Sequence, residues 1–172
     1  MPDSLERPTW RTTALGAAAH GAAAAVVAVG CYYTANQLPF MKETYWAPIA
    51  AVVVLYPDRE STQKAVIARL VGTTLGSLIG WGAAVWWHHN LLLYGVAVLL
   101  AVGLCYLARL EAAARLCAVA GTVITLIPRA EPAHLVAFHR FLEVSYGVTW
   151  ALVYTVLLAW LRGRLATRAA PA

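Results

Sequence analysis

Charge is scarce in this sequence. Lysine, arginine, aspartate and glutamate supply 12% of the 172 residues, against roughly 25% in an average soluble domain. With 61% of the chain hydrophobic, a soluble domain would have too little polar surface to cover its core. Cysteine is also rare. Cys31, Cys105 and Cys117 lie within or beside apolar runs and form no CxxC pair. They read as small apolar packing residues, with no disulfide framework and no metal site. Equally missing are GxSxG, HExxH, a P-loop and a dinucleotide fingerprint, so neither an enzyme nor a cofactor is expected. His88-His89 stands beside Asn90 with no nearby cysteine or acid, which argues against a metal site there. The net charge of +5 does not signal nucleic acid, because the arginines flank apolar runs, and that placement sets membrane orientation.

What the chain does have is apolar runs of helical length. A bilayer core takes about 20 residues per helix, so six spans would use about 120 and leave about 50 for loops and tails. Hydropathy places them near 13–36, 45–57, 65–87, 91–108, 113–128 and 138–161. The expected fold is an all-α integral membrane protein forming one transmembrane domain. Arg7, Arg11 and the alanine-rich run after them resemble a signal peptide, but the run continues to about Thr34 and reads as a retained first span. The second span is short, with Pro48 near its start, where a missing N–H costs nothing. Trp10, Tyr45, Trp46, Trp86, Trp87 and Trp160 fall near span ends, as interfacial aromatics do. With six crossings and both termini cytoplasmic, ten of the 13 Lys and Arg residues fall on the cytoplasmic side. That bias favours this orientation.

A shift of 71 residues superimposes the chain on itself. Leu55 falls on Leu126, Pro57 on Pro128, Glu60 on Glu131, Arg69 on Arg140 and Gly76 on Gly147. The reading is two three-helix repeats, about 13–87 and 91–161. An odd number of crossings per copy inverts the second copy, an arrangement found in many transporters. Arg69 is then expected just inside the cytoplasmic end of the third helix, and Arg140 just inside the outer end of the sixth.

An arginine within a span costs roughly 2.5–3.5 kcal/mol at mid-bilayer on insertion scales. One arginine alone reads as snorkelling to the headgroups. Two at matched repeat positions raise the alternative, an anion-facing role, because a guanidinium offers paired donors and stays charged. Glu143, at i,i+3 from Arg140, is either a neutralising partner or a protonatable group coupled to transport. His20 is the other proton candidate, set against an ordinary helix-to-helix hydrogen bond. Glu60 and Glu131 read as capping or orienting the helices that follow them. Gly72, Gly76 and Gly80 form GxxxGxxxG, a flat stripe for close helix packing within or between subunits.

"YWAPIAAVVVLYP", the charged link and "ARLVGTTLGSLIG" together resemble the fusaric-acid-resistance-like family and the related aromatic acid exporters. The matching elements are Trp46, Ile49, Ala50 and Pro57, then Arg69, Gly72, Thr73 and Gly76. "HRFLEVSYGVTWAL" resembles the family's terminal helix through Arg140, Glu143 and Gly147. The resemblance covers about residues 13–162. It implies a module that exports aromatic or other weak organic carboxylate anions. It also implies a homodimer, since plant malate channels with a similar membrane part work as dimers, and an efflux system with a periplasmic adaptor subunit as a partner. Typical exporters are several times longer, which leaves energy coupling open. A passive organic-anion channel and a non-transporting membrane subunit of a larger complex stand as alternatives.

Overall fold

The computed structural model describes residues 10–86, 91–127 and 131–169, with side chains described for 14–86, 91–127 and 131–164. Arg7, Trp87, His88 to Asn90, Pro128 and Arg129 lie outside the described residues, as do the side chains of Trp10, Arg11 and Arg168. The secondary structure among the described residues is helical: α1 (Trp10–Ala35), α2 (Trp46–Val54), α3 (Arg59–Trp86), α4 (Leu91–Leu107), α5 (Glu111–Leu126) and α6 (Ala133–Ala169). Three stretches, Ala14–Ala35, Arg59–Trp86 and Ala133–Arg164, are long and apolar enough to cross a membrane, and Leu91–Leu107 is a shorter apolar helix. The molecule's surface is apolar, with Leu92 and Leu107 both at least 80% exposed. A shell of this kind suits lipid and would aggregate in water.

α2 is shorter than the sequence suggests. Its nine residues rise only about 13 Å, less than half of a hydrocarbon core of about 30 Å. Pro57 limits it from behind, because the residue before a proline is pushed out of the helical region. The link into α3 is then tied locally. The Thr62 hydroxyl accepts the Tyr56 N–H at 3.1 Å, and the Ser61 N–H donates to the Asp58 carboxylate at 2.7 Å. This is the geometry of an N-terminal cap. The bond to Ser61, first through its backbone N–H, holds the Asp58 carboxyl below its ordinary value. α4 ends in a tight turn through Arg109, whose φ is 57°. There the Leu110 N–H reaches the Cys105 carbonyl at 2.8 Å, a Schellman closure with arginine where glycine is usual.

Two close parallel pairings organise the bundle. Gly72 lies against Ala113 and Leu116, Gly76 against Cys117 and Ala120, and Gly80 against Gly121 and Ile124. Contacts that advance together along both helices make α3 and α5 parallel. A Cβ on Gly72 would stand 2.7 Å from the Ala113 carbonyl oxygen, and one on Gly76 would collide with the Cys117 carbonyl. The glycine stripe therefore faces inward, against α5. In the second pairing, Gly147 of α6 abuts the Ala47 carbonyl and Ala50 of α2. Around that contact Val27, Cys31, Val54, Val144 and Val148 form a closed core. Cys31, Cys105 and Cys117 are buried free thiols in these cores.

These directions sort the charges by end. The starts of α3 and α5 share one end, which carries Arg59, Lys64, Arg109 and Arg115 together with Asp58, Glu60 and Glu111. The starts of α2 and α6 share the other, which carries Lys42, Glu43 and Glu131.

Candidate functional site

The second end is built around Arg140, in the second turn of α6 and 3% exposed. Its Nη2 donates to Glu43 Oε2 at 3.2 Å, and its Nη1 stands 3.9 Å from Glu143 Oε2. The guanidinium lies flat on the Trp46 indole, 3.7 Å from the ring centroid. Trp46 Nε1 donates to Glu43 Oε2 at 2.9 Å, so the same carboxylate oxygen serves both partners. A desolvated cation–π contact is worth about 2 kcal/mol or more, and a buried charge in this setting needs such company.

Glu143 is 1% exposed. Its Oε1 accepts the Glu43 backbone N–H at 2.7 Å. The segment between α1 and α2 is not helical, and its backbone donors must be satisfied inside the protein wherever lipid surrounds it. Glu143 therefore anchors that segment as well as facing Arg140. Glu131 pairs with Lys42 at 3.3 Å and approaches His139 Nδ1 at 3.6 Å. Glu60 sits in the first turn of α3 and pairs with Lys64 at 2.6 Å.

Arg69 has a different setting. It is ten residues into α3, about 15 Å along the helix axis, and 7% exposed. Its Nε is buried with no hydrogen-bond partner, and no carboxylate pairs with its guanidinium among the described residues. Sequence reasoning expects Arg69 and Arg140 near opposite ends. The structure brings them to one narrow cavity of about 10 Å³, walled also by Trp46, Thr73 and Leu116. Arg69 reaches this cavity from well inside α3, and Arg140 reaches it from the second turn of α6 at the other end of the bundle.

This narrow cavity lies between two larger ones that share its wall residues. Toward the first end, a cavity of about 590 Å³ shares Leu116 and is lined by Lys64, Arg115, Tyr56 and small apolar residues. Toward the second end, a cavity of about 300 Å³ shares Arg140 and is lined by Lys42, Glu43, Glu131, His139 and Glu143. The waist is at the threshold for one water molecule. No residue of α1 lines any of the three. His20, partly exposed on α1, thus stands apart from Arg69, Arg140 and Glu143.

Sequence reasoning missed Glu43 and took Trp46 for an interfacial aromatic. Their local signal, "KETYW" ahead of a short apolar helix, does not reveal a partner 97 residues away.

No match to the chain was found among curated proteins or among solved structures. The family model described as fusaric acid resistance protein-like matches residues 23–154. That interval contains the whole arginine constellation and all three cavities, and the chain belongs to the fusaric acid resistance protein-like family.

Proposed function

We propose that this membrane protein is a transporter module that moves organic carboxylate anions outward, aromatic ones among them, through the three successive cavities. One observation carries the reading: Arg69, buried and without an anionic partner, sits at the waist of a chain of cavities that reaches both ends of the bundle. A buried guanidinium left without a carboxylate is costly, and a passing anion supplies what is missing. The waist admits nothing larger than water, so passage needs the helix pairs to move, as in alternating access rather than in an open channel.

The crossed packing supports an inverted repeat. α3 of the first copy rests its Gly76 on α5 of the second, while α6 of the second rests its Gly147 on α2 of the first. In this reading the chain makes six crossings, with α2 completed by the irregular segment before it. The end carrying Arg59, Lys64, Arg109 and Arg115 faces the cytoplasm of a bacterial inner membrane. Arg69 and Arg140 contact the anion in turn. Glu143 and Glu43 hold Arg140 in place between passages.

The test is uptake of labelled benzoate into proteoliposomes by wild type and by Arg69→Ala. Wild type carries benzoate, and the variant inserts, folds and carries none. Flux unchanged in Arg69→Ala would overturn the proposal. Current that persists under voltage alone, without saturation, would replace it with a passive channel.

A further inference from the structure

The cavity of about 590 Å³ at the basic end is within the size range of small-molecule sites. Its chemistry is divided. Lys64 and Arg115 supply two cations, and no carboxylate lines the wall. Lys64 is held by Glu60 at 2.6 Å, but both side chains are more than 70% exposed, so water and a competing anion can replace that contact cheaply. Arg115 is exposed and has no ion pair among the described residues. Asp58, the nearest other acid on the link, is engaged with Ser61. Ala65, Ala68 and Leu116 form an apolar floor. Ala65 is one helical turn before Arg69, and Leu116 belongs to the waist as well. The cavity at the far end carries three glutamates against the two cations Lys42 and Arg140.

We infer that the basic cavity is a capture site for amphipathic monoanions, with the carboxylate between Lys64 and Arg115 and an aromatic or alicyclic body on the Ala65–Ala68 floor. Its role as the first of two sites rests on the transport reading, but binding at it does not. The cation pair draws anions to the basic mouth and Arg69 receives them at the waist. The glutamates at the far mouth disfavour their return. An apolar floor beside two cations selects against small hydrophilic anions.

The test is equilibrium binding of 2-naphthoate to the full chain in phosphatidylcholine nanodiscs. Lys64→Gln with Arg115→Gln weakens binding by about tenfold, the size expected for two solvent-exposed ion-pair contributions. Lys64→Arg with Arg115→Lys keeps wild-type affinity, raised salt weakens binding, and acetate competes poorly. Wild-type affinity in the glutamine pair overturns the assignment, as does an equal loss in the charge-conserving pair. Naphthoate binding abolished when phosphatidylglycerol replaces phosphatidylcholine would make the cavity a lipid-headgroup site instead. Naphthoate bound at this mouth by a protein that carries no organic anion in liposomes would sink the transport reading and leave the site standing. Transport with the same KM in the glutamine pair and in wild type would do the reverse.

Discussion

Arg69 falls on Arg140 when the sequence is shifted by 71 residues, and their surroundings could hardly differ more. Arg140 has Glu43 at 3.2 Å, Glu143 at 3.9 Å and the Trp46 ring at 3.7 Å. Arg69 has no carboxylate paired with it among the described residues. The sequence shift explains why. Carried back by 71 residues, Glu143 becomes Gly72, and carried forward, Glu43 becomes Ala114. Around Arg69 those positions hold the small residues Gly72 and Ala114, buried where α3 packs on α5, and around Arg140 they hold carboxylates. One arginine is thus held by carboxylates of its own chain, and the other has none among the described residues.

The largest expected effect breaks this comparison from the Arg140 side. Glu143→Ala removes one carboxylate from a buried guanidinium and also orphans the Glu43 N–H, so it should destabilise the protein by about 3–5 kcal/mol. Arg69→Met should leave stability unchanged or raise it, since it removes a buried charge with nothing to compensate it and keeps the side-chain volume. Unfolding midpoints in detergent check both. Equal losses would mean that Arg69 has a structural partner and that the two sites are alike.

The arginine pair, the glycine stripe and the shortness of the second helix were legible in the sequence, because each is a local pattern of spacing or length. Three features were not. Glu43 meets Arg140 across 97 residues, and no periodicity in one sequence reports such a contact. Trp46 looked interfacial because it opens an apolar helix, but α2 is too short to hold it at the surface, and its indole turns in to cover Arg140. The inverted repeat read from the sequence puts the two arginines near opposite ends, and nothing in the repeat itself reports that both side chains reach one cavity, Arg69 from inside α3 and Arg140 from the second turn of α6.

The next effect compares the packing that accompanies each arginine. Gly76→Ala and Gly147→Ala each place a methyl against a backbone carbonyl, of Cys117 and of Ala47, that cannot rotate away. Overpacking of this kind costs about 1–3 kcal/mol. The two losses should agree, because both glycines lie seven residues past their arginine at the closest approach of a parallel helix pair. Gly82→Ala, where a Cβ meets nothing within 4 Å, supplies the control and should be neutral or mildly stabilising. A large loss at one glycine and none at the other would show that the two halves are not built alike.

The smallest effect separates the two arginine sites by pH. The helix that carries Arg69 begins at an exposed local cap, Asp58 on the Ser61 N–H, whereas the Arg140 site, with α2 beside it, is anchored by buried long-range bonds. The Asp58 carboxyl is lowered by its bond to Ser61, so the folded state holds fewer protons there than the unfolded chain does. Its contribution is complete above the ordinary carboxylate range and is lost as pH falls through the lowered folded value. Amide exchange at Ser61 and Thr62 should therefore quicken relative to the intrinsic rate as pH falls below that range, while exchange across Ala47 to Ala51 keeps its protection. Asp58→Asn should remove the pH dependence and keep part of the cap, since asparagine caps about as well as aspartate. A pH dependence that survives in Asp58→Asn would place the titrating group elsewhere, and Glu60, paired with Lys64 one turn further on, would be the group to replace next.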